Sequence, residues 1–148
     1  MSGETLLQLG QAVHGHLGWL AVAALVHPAL LLRRPGRRAA WAVRAAVVLV
    51  TLVALGGAAL YPSYRTQLRP GLFEMSPTMG WSFERKEALG LFVLTFSWVG
   101  GVSAWLSERG GPQAAPLREA AALAFALAAT AAAVVATLGT AVGLWTRF

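Results

Sequence analysis

Along the chain, apolar residues follow neither the period of an amphipathic helix nor the alternation of a half-buried strand. They come in four long runs separated by polar intervals. A hydrocarbon layer about 30 Å thick is crossed by roughly 20 helical residues. Residues 6–32, 39–61, 88–106 and 117–145 meet that length, with Arg44 one turn inside the second run and Glu119 near the start of the fourth. The pattern predicts an all-α chain, a single transmembrane domain over residues 1–148 forming an integral membrane four-helix bundle. The short connections 33–38 and 107–116 favour up-down-up-down topology. Pro62, Pro70, Gly71, Pro77 and Gly80 predict a long loop over residues 62–87, with Ser82 to Glu87 available as a solvated first turn of the third span. Gly110, Gly111 and Pro112 predict a turn between antiparallel neighbours.

Composition explains why these runs face lipid. Of 148 residues, 57% are hydrophobic and only 12% charged, against about 25% in an ordinary soluble domain. The net charge of +6 would suggest nucleic acid in a soluble protein. Here the basic residues flank apolar spans, where they set topology, so the expected partner is the lipid bilayer and not nucleic acid. Arg33, Arg34, Arg37, Arg38, Arg44, Arg109 and Arg118 fall on one side; Arg65, Arg69, Arg85, Lys86 and Arg147 fall on the other, mostly spread along the long connection. Short loops and helix flanks carry the weight in the positive-inside rule. The first connection is therefore expected in the cytoplasm and both termini on the extracytoplasmic side, in a bacterial cytoplasmic (inner) membrane. Residues 1–6 carry no basic group and the first run ends in Arg33-Arg34 instead of a small-residue cleavage site, so the first helix is expected to be retained. Trp19, Tyr61, Tyr64, Trp81, Trp105, Trp145 and Phe148 fall near predicted interfaces, whereas Trp98 is mid-span.

Helices in lipid approach one another through small residues. The fourth span is dominated by alanine from Ala120 to Gly143, and Gly90, Ser97, Gly100 and Ala104 share one side of the third; Gly56 and Gly57 offer a similar place in the second. The absence of cysteine excludes disulfides, thiolate nucleophiles and Cys-ligated metals. Phosphate loops, dinucleotide fingerprints, serine-hydrolase elbows and zinc-protease motifs are missing, and the only acidic residues are six glutamates; the balance leans against an enzyme.

Ionisable groups within a span are costly and are the default place to look for function. The first span carries His14, His16 and His27, and the third opens with Glu84, Arg85, Lys86 and Glu87. At 100° per residue, His16 and His27 share a face and lie about 16 Å apart along the axis, while His14 points about 160° away from His16. These histidines are the candidate cofactor ligands, with haem b, a quinone or a divalent metal as the candidate groups. No other span carries a histidine. Bis-histidine haem ligation would therefore need a second protomer or another subunit. With the termini outside, His14, His16, Glu84 and Glu87 are expected at one level, as a candidate metal, proton-relay or quinone site between spans one and three. The competing reading leaves them solvated, with the glutamates paired to Arg85, Lys86 or Arg69. His27 precedes Pro28, which kinks the helix; a buried imidazole contacting Thr or backbone of the next helix is the favoured reading, one end of a proton path the other.

Phe96-Ser97-Trp98-Val99-Gly100-Gly101 is similar to a Trp-x-Gly-Gly pattern of some copper-resistance-type membrane proteins, but the membrane histidine preceding that pattern has no counterpart, so no site residue is carried over. The function expected is a small accessory or self-associating subunit of a membrane redox or energy-coupling complex; the alternative is a small oligomeric proton or cation transporter or channel.

Overall fold

The computed structural model describes residues 3–34 and 38–145, so Arg37, Arg147 and Phe148 lie outside the described residues. Five α-helices follow in order: α1 (Gly3–Leu32), α2 (Ala40–Ser63), α3 (Arg69–Met75), α4 (Pro77–Ser107) and α5 (Ala114–Trp145), with a π-helical turn at Tyr64–Leu68 joining α2 to α3. Four helical stretches are long and apolar enough to cross a membrane: α1, the continuous run Ala40–Met75, α4 and α5. They pack as an antiparallel bundle in which α1 borders α2 and α5, and α4 borders the same two helices. Consequently α1 and α4 occupy the diagonal. One end of the bundle carries the start of α1, the end of α5 and the α3 hairpin; at the other α1 ends, α2 begins, α4 ends and α5 begins.

The small residues hold the long helices together as their spacing predicts. On α5 a wide stripe including Ala121, Ala122, Ala128, Ala129 and Ala132 is buried, and in its middle Phe125 is fully buried. Gly100 makes room for that ring: a Cβ at Gly100 would stand 2.9 Å from it, closer than packed atoms tolerate. Gly101 likewise leaves 3.0 Å to Val47 of α2. Among the described residues Ser97 is the one buried polar side chain, and its hydroxyl donates to the Leu94 carbonyl at 2.8 Å. Gly90 faces open space, so it does not share the close contact made by the rest of the α4 groove.

At the end with the short connections, a side chain from α5 finishes α1. The last carbonyls of a helix lack intrahelical partners and carry the negative end of its dipole. Arg118 donates from Nε to Leu32 O at 2.8 Å and from Nη2 to Leu31 O at 3.2 Å and Arg34 O at 3.1 Å. Its guanidinium therefore ties the start of α5 to the end of α1.

The expectation of a loop over residues 62–87 differs from the structure, in which the segment is helical apart from the extended Ser76 (φ −165°, ψ 126°). The prolines explain the difference. Pro77 opens α4, a position where the missing N–H would have had no intrahelical partner, and Pro70 sits where the π-helical turn gives way to α3. Gly80 completes the hairpin, because a Cβ there would fall 2.5 Å from the Phe73 ring that packs over it. Leu72 and Phe83 are buried in the same junction. The third helix thus begins at Pro77 and not near residue 88, the charged run Glu84 to Glu87 being helical.

Candidate functional site

The three histidines of α1 separate as the helical geometry requires. His14 lies on the face that continues into buried Ala21, Leu25 and Pro28, whereas His16 and His27 lie on the exposed face. The His14 ring packs against α2 at Gly57, where a Cβ would come 3.1 Å from Cε1; at Gly56 it would lie 3.7 Å from Nδ1. These glycines make space for an imidazole as well as for close backbone approach.

Facing His14 from the diagonal helix is Lys86. Its side chain runs over the Phe83 ring, with Nζ 4.8 Å from the centroid, and stands 5.7 Å from the Tyr64 ring of the π-turn. A Cβ on Gly139 of α5 would meet its Cδ at 4.0 Å. Lys86 is close enough to His14 for their charges to interact, and it interacts in turn with Glu87. The Lys86 side chain is thus bordered by Phe83 of its own helix, Tyr64 of the π-turn and Gly139 of α5, with His14 of α1 near enough to interact with its charge. The local sequence dictates this placement: Phe83, Ser97 and Ala104 stand at multiples of seven residues from one another, as do Lys86, Val93 and Gly100, along the interior side of α4.

The carboxylates are arranged outside this pair. Glu84 forms an ion pair with Arg69, whose Nε donates to Oε1 at 2.9 Å. The Arg69 guanidinium also lies 5.1 Å from the Phe73 ring, so the hairpin holds it in place. Glu87 is half-buried and feels Lys86, Glu84, Arg65 and Arg69. The π-turn supplies Tyr64 and Arg65 to this end, in keeping with the frequent use of π-helical turns at functional sites.

The expected four-residue site is not assembled as such. Among the described residues no three of His, Cys, Asp or Glu stand together as a metal-ligand group. His16 turns outward and hydrogen-bonds the Ala12 carbonyl of its own helix at 2.6 Å, and Glu84 is engaged by Arg69. The spans that were to hold the site are diagonal instead of adjacent, so only a side chain as long as Lys86 brings them together. His27 is exposed, not buried against a neighbouring helix, because the interior side of the kink is taken by Pro28. Lys86 itself went unrecognised by sequence reasoning, although it lies two heptads before Gly100, on the side of the small-residue groove.

Mid-bundle, Trp98 donates its indole N–H to Thr51 Oγ1 at 3.2 Å, and nearer the terminal end Trp19 donates to Thr140 at 3.3 Å. Both indoles therefore bridge neighbouring helices within the apolar zone. Compared with known protein families, characterised proteins and solved structures, the chain matches none.

Proposed function

We propose that the protein is a small accessory or self-associating subunit of a membrane redox or energy-coupling complex, and that His14 and Lys86 form its proton-handling site. The observation that carries this reading is Lys86, an amine drawn into the bundle toward the imidazole of the opposite helix, with Gly139 of α5 beside its side chain and Gly56 and Gly57 of α2 beside that imidazole. An ionisable group held within a span serves ion or proton movement far more often than packing. From Lys86 the titratable groups continue through Glu87 toward the Glu84–Arg69 pair at the bundle end, as a proton route requires. His14 and Lys86 are both N–H donors, which suits the carbonyl oxygens of a quinone headgroup better than a divalent metal. The distribution of arginines favours the extracytoplasmic side for this end.

A proton path in a small oligomeric transporter uses the same groups and is the second reading. A path for metal or alkali cations is disfavoured because Lys86, whenever protonated, sets a positive charge inside the bundle. Purification of the tagged chain from native membranes in mild detergent decides between them. The proposal expects stoichiometric recovery with redox-active or proton-translocating subunits, and at least a tenfold loss of their proton-coupled activity in Lys86→Met with assembly intact. Recovery of the chain without such partners, or an unaffected Lys86→Met complex, would contradict it.

A further inference from the structure

The outward face of α1 differs from every other lipid-facing surface of the bundle. Val13, His16, Leu20, Ala23, His27 and Leu30 follow one another at alternating spacings of three and four residues, and all six are exposed. Exposed mid-span residues on α2 are Val48, Leu52 and Leu55, and on α5 Leu123, Leu127 and Val134, all apolar. Exposed hydroxyls on α5 are returned to their own helix, Thr130 to Ala126 O and Thr137 to Ala133 O. Among the described residues, exposed charged side chains of the other spans, such as Arg44 of α2, lie toward the span ends, whereas His16 and His27 of α1 are exposed within a span running from Leu9 to Leu32. Such groups face protein, water or a ligand, not lipid tails, so this face requires a cover.

Three features say what the cover is. The first is the hydrogen bond of His16: the Ala12 carbonyl can only accept, so Nδ1 is the donor, which leaves Nε2 of the exposed ring as the atom for a metal, as in a metal-ligating imidazole. The second is symmetry. Copies of one chain inserted in the same direction pair about a two-fold axis along the membrane normal, which sets each residue at the depth of its own counterpart. His16 then meets His16 and His27 meets His27, supplying the opposing imidazoles that no other helix of the chain provides. The third is spacing. Eleven residues of helix separate the two levels by about 16 Å with a rotation of only about 20°, so two planar macrocycles fit edge to edge in one interface. Exposed Arg33 and Arg34, about two turns beyond His27, supply cations for the propionates of the nearer group.

We propose that two copies of the chain pair through this face of α1 and hold two haems between them, one ligated axially by the two His16 imidazoles and one by the two His27 imidazoles. The site is separate from the His14–Lys86 pair, which lies on the inward face of the same helix, and either can fail alone.

The test is the full chain produced with added haem and purified in detergent. The expected product is a dimer by light scattering with a six-coordinate low-spin visible spectrum and one haem per chain. His16→Ala and His27→Ala each retain about half the haem, and the double variant retains almost none. Since the chain has no cysteine, Ala23→Cys provides an independent probe in intact membranes. A bis-maleimide reagent should join two copies through residue 23 and leave Leu55→Cys, on the exposed face of α2, unjoined. A colourless protein after haem supply, haem on a monomer, haem retained in the double variant, or cross-linking of Ala23→Cys only to a different polypeptide would overturn the proposal.

Discussion

The two ends of the bundle are built on opposite plans. At the end with the short connections, helices meet through alanine and glycine, and a long polar side chain that enters there, Arg118, donates to the backbone carbonyls of Leu31, Leu32 and Arg34. At the end with the termini, the glycines accommodate side chains: Gly57 and Gly56 border His14, Gly139 borders Lys86 and Gly80 lies beneath Phe73. Small residues thus serve two purposes in one molecule. Where the partner is a ring or an alanine they create packing; where it is ionisable they create a place for charge inside a membrane domain.

The largest effect is expected where packing is tightest. Gly100→Leu drives a branched side chain into the space of the Phe125 ring, and overpacking of this kind costs about 3 kcal/mol or more. Thermal unfolding in detergent should show the loss, with partial recovery on combining it with Phe125→Ala; an unchanged midpoint would break the packing half of the comparison. Next comes Arg118→Met, which strips a charged cap from the end of α1. Hydrogen bonds to a charged donor are worth about 1.5–3 kcal/mol, and the carbonyls left behind regain only part of that from water. Denaturation in a mixed-detergent series measures it.

Lys86→Met should separate the two ends most cleanly. Replacing an interior charge by an apolar side chain of similar length is often neutral or stabilising, so stability should stay within about 1 kcal/mol while the proton-coupled function is lost. A large fall in stability would make Lys86 a structural residue. The smallest effect belongs to Gly57→Ala: alanine favours the helix by about 0.5–1 kcal/mol, whereas its Cβ forces the His14 ring to move by a few tenths of an ångström. Stability should scarcely change, and any functional change should come through His14.

Most of the fold is legible in the pattern of apolar runs, because hydrogen-bonding backbone in lipid leaves helices as the solution for runs of this length. Helix α1 was expected to reach residue 32 and does so, and α5 ends at Trp145. The region between the second and third spans misled for a physical reason: prolines and glycines break helices in their interiors but also start them and let them pack closely, and Pro77 and Gly80 are used in the second way. The site was half legible. His14 stood out as an ionisable group in a span, and its opposition to His16 followed from helical geometry. Lys86 did not stand out, because Glu84, Arg85 and Glu87 around it make the run look solvated. The periodicity of α4 carries the missing information, since a residue seven before Val93 and fourteen before Gly100 shares their interior side. What no periodicity reveals is the diagonal placement of α1 and α4, which depends on how four helices close into a ring.

The central claim is that His14 and Lys86 form one electrostatic unit inside the bundle while His16 and His27 stand apart from it. Solid-state NMR of histidine-labelled protein in bilayers, titrated with and without Lys86→Met, tests it directly. The account predicts that the titration midpoint of His14 moves when Lys86 is replaced and that those of His16 and His27 do not. A His14 midpoint unaffected by Lys86→Met, or an equal displacement of all three, would contradict it.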